Sequence, residues 1–398
     1  MGATPSPAPA PPSERSPAIK LTIDTDKLSD AAQWALRAIP DTTSTPAMAG
    51  IRLEAADNTL TLAGVDHHTD RSTRAVEDCV VAEAGTVLVP GRLLVDVVTT
   101  LPPGQPTTLA VDGTDLVLSC GTVRIALPTF ALTDYPALLA VPDASGTVDG
   151  AALAEAAARV AAGARAVAPE GVDEKRSVST GVEFTLSGTT MVLSATDGHV
   201  IHVANVPWTP NPAVKGEGLD MPRTQGSTIL PAGVFRDGAR VFADAEKVEL
   251  AITGRHYAVS IPGRRATGPI IDGVLPDRPF PTTFTSVATT GTQDLTDAFK
   301  HIQPLLGERD LIVLDIAADH ITVRAGSDHE GRSRDRIAAG LEGEPLTIAF
   351  RPELLVRAVR QISGPVTRIN LTAALDPVLL HGVDQADVFR ALVMPTRL

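Results

Sequence analysis

The sequence predicts an α+β fold made of three copies of one domain, each an antiparallel sheet with two helices. The first observation is a motif that ends an apolar strand in aspartate and occurs at residues 58–66, 189–197 and 320–328. The closing aspartates are 131 residues apart both times, which is the length of an ordinary domain and too long for a solenoid repeat. The second observation is that an apolar strand and a proline near a predicted helix start follow every motif.

Helices are predicted from capping and proline signals. Asp24 and Asp26 precede an amphipathic run that begins at Leu28, where a carboxylate can accept the first free backbone N–H groups. Prolines 90, 231 and 352 stand ahead of three other helical runs, and a first helical turn tolerates proline because its missing N–H has no partner there. We therefore predict the element order helix, strands, helix, strands in each copy.

Strands are predicted from strict alternation of apolar and polar residues. The alternating segments are residues 51–55, 59–62, 107–111, 116–120, 123–127, 182–186, 248–252 and 369–373. Asp112-Gly113 and residues 56–58 are typical of hairpin turns. The pattern favours antiparallel sheets with the helices packed on one face.

The repeat divides the chain into a tail and three domains. Residues 1–18 are rich in proline and alanine, lack the apolar core of a secretory signal, and are expected to be disordered. The domains are predicted at 19–142, 143–272 and 273–398, with a surface loop at 211–220.

Composition favours a cytoplasmic globular protein without a membrane segment. The chain of 398 residues is 43% hydrophobic and 20% charged and has no run of 18 apolar residues. Cys79 and Cys120 share no metal-ligand spacing and are interpreted as buried free thiols of a reducing compartment.

The net charge of −13 argues against a protein that coats nucleic acid with its whole surface. On approximate boundaries the six predicted helices carry nine acidic residues and ten basic ones, about +1, which leaves about −14 elsewhere. Helices presented to a polyanion and ordinary mixed surface charge both fit this pattern. The ten basic residues are Lys27, Arg37, Arg92, Arg159, Arg165, Arg236, Arg240, Lys300, Arg357 and Arg360.

No catalytic signature is present, so we expect no enzyme activity and no cofactor: phosphate-loop, G-x-S-x-G and H-E-x-x-H motifs are all missing. Residues 66–70, Asp-His-His-Thr-Asp, are the best metal candidate, but adjacent histidines at a strand end point to opposite faces, and we predict no metal site. Asp197 and His199 lack a nucleophile, and an aspartate repeated in every copy is more typical of a turn cap. Residues 392–398 fit either a buried terminal strand or a groove wall.

Several of these segments resemble one family. Residues 196–199 (Thr-Asp-Gly-His), 127–136, 343–350 and the ending 394–398 (Met-Pro-Thr-Arg-Leu) resemble the bacterial DNA polymerase sliding clamp, the beta subunit of the replicative holoenzyme. The resemblance covers residues 19 to 398, and the composition is most similar to the actinobacterial branch.

The resemblance implies a head-to-tail homodimer in which six clamp domains close a ring. The helices would line the hole and face double-stranded DNA through water, holding the ring without reading sequence. The ring would tether the polymerase catalytic subunit and meet the clamp loader through short clamp-binding peptides, which raises the polymerase concentration at the primer end without any chemistry.

The resemblance also implies a peptide groove between the second and third domains. Val200 stands where the family usually has Arg, and Ser179 stands where Leu is common. Residues 277–281 replace a segment that usually carries an Arg followed by an aliphatic residue. Near the DNA, residues 41–43 lack a basic residue that is often found there. Such changes should alter peptide affinity and selectivity. The groove residues carried over, including the departures, are Ser179, Thr196, Gly198, His199, Val200, Ile201, Pro276, Phe280, Pro281, Leu392, Met394, Pro395, Thr396, Arg397 and Leu398.

The resulting hypothesis is a variant or second-copy clamp whose groove accepts polymerase but binds a clamp-targeting cyclic peptide antibiotic weakly. A clamp-like scaffold or regulator that is not loaded on DNA is the alternative. A hydrolase using Asp197 and His199 is a third.

Overall fold

A computed structural model describes residues 19–40, 43, 45–138, 143–173, 177–212, 227–253, 255–276, 279–307, 310–327 and 331–398. The chain forms two compact units. Unit 1 comprises residues up to 141 together with 262–268, and unit 2 comprises 142–261 and 269–398. The predicted tail, most of the 211–220 loop, Asp41, Asp277 and Asp328 lie outside the described residues.

Unit 1 contains two helices and the strands of the first repeat. The helices are α1 (Thr25–Leu36) and α2 (Gly91–Val98). The strands are β1 (Lys20–Asp24), β2 (Gly50–Ala56), β3 (Thr59–Asp66), β4 (Arg71–Asp78), β5 (Val80–Glu83), β6 (Gly85–Pro90), β7 (Pro106–Asp112), β8 (Asp115–Cys120) and β9 (Val123–Pro128).

Two antiparallel sheets of unit 1 enclose an apolar core. One sheet has the order β5-β1-β7-β8-β9, and the other runs β4-β3-β2-β6. β18 (Arg264–Pro269), whose residues to Gly268 belong to unit 1, pairs antiparallel with β4. The side chains of Leu28, Leu53, Leu62 and Leu94 are fully buried. Asp24 caps α1 by accepting hydrogen bonds from the backbone N–H groups of residues 26 and 27, as the sequence predicts.

The second repeat lies in unit 2, except for most of β18. Its helices are α3 (Gly150–Ala161) and α4 (Ala232–Ala243). Its remaining strands are β10 (Gly146–Asp149), β11 (Gly181–Ser187), β12 (Thr190–Thr196), β13 (Val200–Pro207), β14 (Thr209–Pro210), β15 (Ser227–Pro231), β16 (Lys247–Ile252) and β17 (His256–Ile261).

The third repeat completes unit 2. Its helices are α5 (Thr292–Ile302) and α6 (Pro352–Val359). Its strands are β19 (Ser286–Gly291), β20 (Ile312–Ile316), β21 (His320–Ser327), β22 (Gly331–Gly343), β23 (Leu346–Phe350), β24 (Val366–Leu371), β25 (Val378–Gly382) and β26 (Phe389–Val393).

A continuous sheet joins the second and third repeats. Its order is β15-β11-β12-β13-β26-β25-β24-β19-β22-β21-β20-β23, and a second sheet of unit 2 runs β14-β10-β16-β17. The junction is the antiparallel pair β13 and β26, which extends from Val200 opposite Val393 to Ala204 opposite Phe389. Residues far apart in sequence therefore meet at the start of β13.

The described residues confirm the predicted α+β pattern with two helices in each repeat. Pro90 and Pro231 directly precede α2 and α4, and Pro352 occupies the first turn of α6. The opening strands β1, β10 and β19 were missed. None of the helices in the described ranges combines the length and apolar character that a membrane crossing requires.

Three of the basic residues assigned to helices lie at or beyond helix ends. Arg37 and Arg360 are C-terminal caps, and Arg165 follows the end of α3. With the observed bounds the six helices hold seven basic and eight acidic residues, a net charge of −1, so the predicted +1 was wrong. Cations at these ends also have a local explanation, because the C-terminal end of a helix carries a partial negative charge.

Candidate peptide groove

The pair β13 and β26 brings the two parts of the predicted groove together. Ile201 lies opposite Leu392, and the backbone N–H of Met394 donates to the carbonyl of His199 at 2.9 Å. The side chains of Val200 and Leu392 are buried, whereas those of Ile201 and Met394 are half-buried. The surface at this junction thus combines a polar turn with apolar side chains.

The turn at residues 196–200 is held by its own side chains. The Asp197 Oδ1 atom accepts from the backbone N–H groups of His199 at 2.9 Å and Val200 at 3.0 Å. The Thr196 hydroxyl donates to the carbonyl of Val200 at 2.5 Å and accepts from the N–H of Gly198 at 3.1 Å. Gly198 has a φ of 97°, in the region that favours glycine. The turn is therefore a fixed structure.

The repeated aspartate serves the same purpose in the first repeat. Asp66 accepts from the backbone N–H groups of His68 at 2.9 Å and Thr69 at 3.3 Å and from the Thr69 hydroxyl at 2.6 Å. This confirms its interpretation as a turn cap. The ring centroids of His67 and His68 are 6.4 Å apart, and the described ranges contain no group of three His, Cys, Asp or Glu side chains suited to a metal ion.

Two of the arginines that the sequence analysis assigned to DNA contact this turn. The Arg357 guanidinium, on α6, forms an ion pair with the Asp197 Oδ2 atom. An Arg165 N–H donates to the Asp197 carbonyl at 3.2 Å. Burial opposes ionisation of Asp197, but Arg357 and the backbone donors of the turn outweigh it and hold the pKa of the carboxyl below its usual value.

The loop after α3 connects the turn to Ser179, and an apolar cluster lies beside both Ser179 and Pro276. The Arg165 backbone N–H donates to the carbonyl of Ser179 at 2.7 Å. Val178, beside Ser179, packs on a buried apolar cluster that contains Leu275, beside Pro276; the other members are Ile229 and Ile271. Ser179 and Pro276 thus each adjoin a residue that packs in this cluster.

Residues 394–398 follow β26 and contact β23. The backbone N–H of Thr396 donates to the carbonyl of Ala349 at 2.8 Å. Pro281 and Pro395 are half-buried, Arg397 is exposed, and Leu398 is 77% exposed. Further back on β26, the Arg390 guanidinium lies 4.8 Å from the centroid of the Phe280 ring. Phe280, from the predicted departure, thus contacts the strand that carries Leu392.

His202 lies beneath the turn and is fully buried. Its Nδ1 atom is 2.9 Å from the carbonyl of Arg159, and its ring packs edge-on against Phe389. Burial lowers the pKa of His202 to about 4, so the folded protein holds a neutral imidazole at neutral pH.

This burial predicts a pH-dependent stability. Because the folded pKa is depressed, the contribution of His202 is fully present above the unfolded pKa of about 6.5 and is lost as the pH falls towards 4. The free energy of unfolding should fall by up to about 3 kcal/mol over that range. Urea unfolding of the wild type and His202→Asn at pH 7 and pH 4.5 tests this, and an equal loss in both proteins would contradict it.

Eight of the ten basic residues predicted to face DNA have exposed side chains, whereas the side chains of Arg159 and Arg357 are mostly buried, at 16% and 29% exposure. Arg159 pairs with Glu155 and contacts the Ser363 hydroxyl, and Lys300 pairs with Asp297. Arg236 and Arg240 lie four residues apart on α4, so they share one helix face.

Comparison with known proteins finds relatives along almost the whole chain. Models of the DNA polymerase III beta subunit match in chain order: the N-terminal domain at residues 19–139, the central domain at 159–277 and the C-terminal domain at 277–397. The beta sliding clamp of Streptomyces coelicolor is 32% identical over 96% of this chain and 100% of its own length. The "Beta sliding clamp homolog GriR" of Streptomyces muensis is 29% identical over 95% of this chain and 99% of its own.

Solved clamps share the fold. The Pseudomonas aeruginosa clamp bound to griselimycin superposes with a TM-score of 0.84 at 21% identity, covering 96% of this chain and 100% of that one. The Bacillus subtilis clamp gives 0.83 at 20% identity, with the same coverage.

The three-domain fold and its matches define a non-catalytic accessory protein of DNA replication. The chain belongs to the DNA polymerase III beta subunit family, the bacterial sliding clamps.

Proposed function

We propose that this clamp closes as a head-to-tail dimer around DNA and tethers the replicative polymerase through a groove with altered selectivity. The observation that carries the proposal is the junction of β13 and β26, where Ile201 and Met394 lie on one half-buried surface beside the Asp197 turn. Such a surface fits a short clamp-binding peptide from the polymerase or the clamp loader, in the cytoplasm where the chromosome lies.

The strand pairing within the chain supports the dimer. The last strand of the second repeat, β18, pairs with β4 of the first, and the last strand of the third, β26, pairs with β13 of the second. The strand of the first repeat that is equivalent to β18 and β26 is β9, which is an edge strand. The segment of the third repeat that is equivalent to β4 and β13 is residues 331–338 of β22, which among the described residues pair only with β21. The same pairing between β22 of one copy and β9 of another would repeat the two junctions.

The backbone of these strands has donors facing outward. Thr129 donates to the carbonyl of Thr114 in the β8 and β9 ladder, so by alternation the N–H groups of Arg124 and Ala126 point away from β8. Ala339 donates to the carbonyl of Asp319, so those of Arg334 and Arg336 point away from β21. Unpaired edges of this kind are templates for another strand.

DNA contact should depend on the exposed helical arginines. In Arg236→Gln/Arg240→Gln we expect weaker binding to duplex DNA and a salt dependence whose slope falls by about one for each arginine that faces a phosphate. Lys20→Gln, an exposed residue of β1, is the control. Titration of a fluorescent duplex at several salt concentrations measures the slope, and an unchanged slope would exclude α4 from the DNA surface.

The departures at Val200 and Ser179 and in segment 277–281 support altered selectivity. The P. aeruginosa clamp was solved with griselimycin bound, so this compound is a suitable antibiotic probe. Val200 is fully buried and would act only through packing. We expect this chain to bind griselimycin more weakly than an ordinary clamp does, because Ser179 offers less apolar surface than leucine and the prolines of segment 277–281 stiffen that loop.

Calorimetry tests the proposal. A polymerase clamp-binding peptide and griselimycin are titrated into this protein and into the S. coelicolor clamp. We expect comparable micromolar peptide binding to both and weaker griselimycin binding to this chain. Equal, normal affinity for both ligands would contradict the altered selectivity, and absence of peptide binding would contradict the clamp function and favour a scaffold.

A further inference from the structure

We propose that Arg357 is a positioning residue for the groove: its guanidinium holds the Asp197 turn against α6, in the position that a bound peptide requires. The inference rests on the proposed function, since it assumes that the groove binds peptides. It gives Arg357 a role other than contact with DNA.

The contact joins two repeats across 160 positions of sequence. Asp197 lies in the turn between β12 and β13 of the second repeat, and Arg357 lies in the last turn of α6 in the third. The Asp197 side chain is only 10% exposed and that of Arg357 only 29%. The Arg357 Nε atom is buried without a hydrogen-bond partner among the described residues. A guanidinium placed this way is partly withdrawn from solvent.

Each oxygen of Asp197 has a separate task. Oδ1 caps the turn through the N–H groups of His199 and Val200, whereas Oδ2 binds Arg357. The backbone carbonyl accepts from Arg165. Loss of Arg357 should therefore leave the local cap in place and remove the attachment of the turn to α6.

Backbone contacts connect the Asp197 turn to the groove surface. The carbonyl of His199 accepts the N–H of Met394, and Val200 lies opposite Val393 on β26. A shift of the Asp197 turn would therefore displace the backbone that carries Ile201 and the backbone that carries Met394. Displacements of about 1 Å in a positioned site are enough to weaken binding strongly.

Arg357→Gln is the main variant, and Arg360→Gln is the matched control because it removes an exposed charge from the end of the same helix. Calorimetry with the polymerase peptide should show about tenfold weaker binding for Arg357→Gln and wild-type affinity for Arg360→Gln. Arg357→Lys, which keeps the charge but presents its donors on a single nitrogen, should bind with intermediate affinity. Asp197→Asn/Arg357→Gln should bind no more weakly than the weaker single variant.

A pH profile separates positioning from general loss of structure. In the wild type, Arg357 keeps Asp197 ionised, so Asp197 should add no pH dependence to peptide affinity between pH 7 and pH 5. The other titratable and charged groups beside Asp197 are His199 in the turn, Arg165 after α3 and the buried His202 on β13; they are the same in both proteins, so the comparison isolates Asp197. In Arg357→Gln, burial of Asp197 is no longer offset by the guanidinium, its pKa rises, and affinity should fall further as the pH is lowered. Thermal unfolding at each pH identifies any variant that does not fold; if Arg357→Gln is one, Arg357→Lys carries the test.

The outcomes distinguish this inference from the proposed function. A wild type that does not bind the peptide contradicts the proposed function, and this inference with it. A wild type that binds while folded Arg357→Gln binds equally well contradicts this inference alone. Equal weakening in Arg357→Gln and Arg360→Gln, or parallel pH profiles of wild type and Arg357→Gln, would also overturn it.

Discussion

Met394→Ala should weaken binding of the polymerase peptide by at least about 30-fold, or about 2 kcal/mol. Met394 is half-buried in the free protein, and its N–H bond to the His199 carbonyl fixes its backbone beside the Asp197 turn. A peptide that covers the side chain would bury the rest of it, and methionine adapts its shape to different ligands. Truncation to alanine removes that contact and leaves a cavity.

Leu375→Ala is the control for this variant. Leu375 is 52% exposed in unit 2 between β24 and β25 and is not among the groove residues. Calorimetry should show wild-type affinity for Leu375→Ala. Equal affinities of Met394→Ala and wild type would show that the peptide binds elsewhere on the protein.

Ala126→Pro should convert the dimer to a monomer. The N–H of Ala126 points away from β8, so a proline there removes a donor that the β22 strand of a second copy needs, and its ring obstructs that strand. The same substitution leaves the β8 and β9 hydrogen bonds intact. The monomer should be visible by light scattering at a concentration where the wild type is dimeric.

Ala126→Ser keeps the N–H group and should remain dimeric, which makes it the matched control. The Ala126 side chain is exposed, so a serine hydroxyl there can remain in solvent. A folded Ala126→Pro protein that stays dimeric would exclude β9 from the interface and, with it, the proposed head-to-tail ring.

The fold was predictable where local signals agree. Asp24 caps α1 and Pro352 begins α6 because capping and proline effects act within a few residues. The opening strands β1, β10 and β19 were missed because each is short and runs directly into a helix, so neither period dominates.

The groove could be placed only in part. The family resemblance assigned Ile201 and Leu392 to one groove but not to paired strands, since strand pairing across repeats has no local signal. The contacts of Arg357 and Arg165 with the Asp197 turn were missed because a cation near a helix end suits both the helix dipole and a polyanion. Only the fold shows that Asp197 lies beside Arg357. A buried His202 was equally invisible, because its position depends on the packing of Phe389 and Arg159.

The net charge of the helices shows a different limit of prediction from sequence. Moving helix ends by a few residues changes the net charge of the six helices from about +1 to −1, so the count depended on boundaries that sequence fixes poorly. The arginine pair of α4 supports the proposed DNA contact better than the net charge does, because Arg236 and Arg240 share one exposed face whatever the exact end of the helix.

Topological retention on DNA tests the central claim most directly. The protein is placed on a nicked circular plasmid with a clamp loader, and the DNA is then separated by gel filtration in high salt before and after cutting at one site. A closed ring that holds DNA without reading sequence predicts retention on the circle and loss from the linear form. Equal retention on both forms, or no retention on the circle while the dimer is intact, would contradict the account.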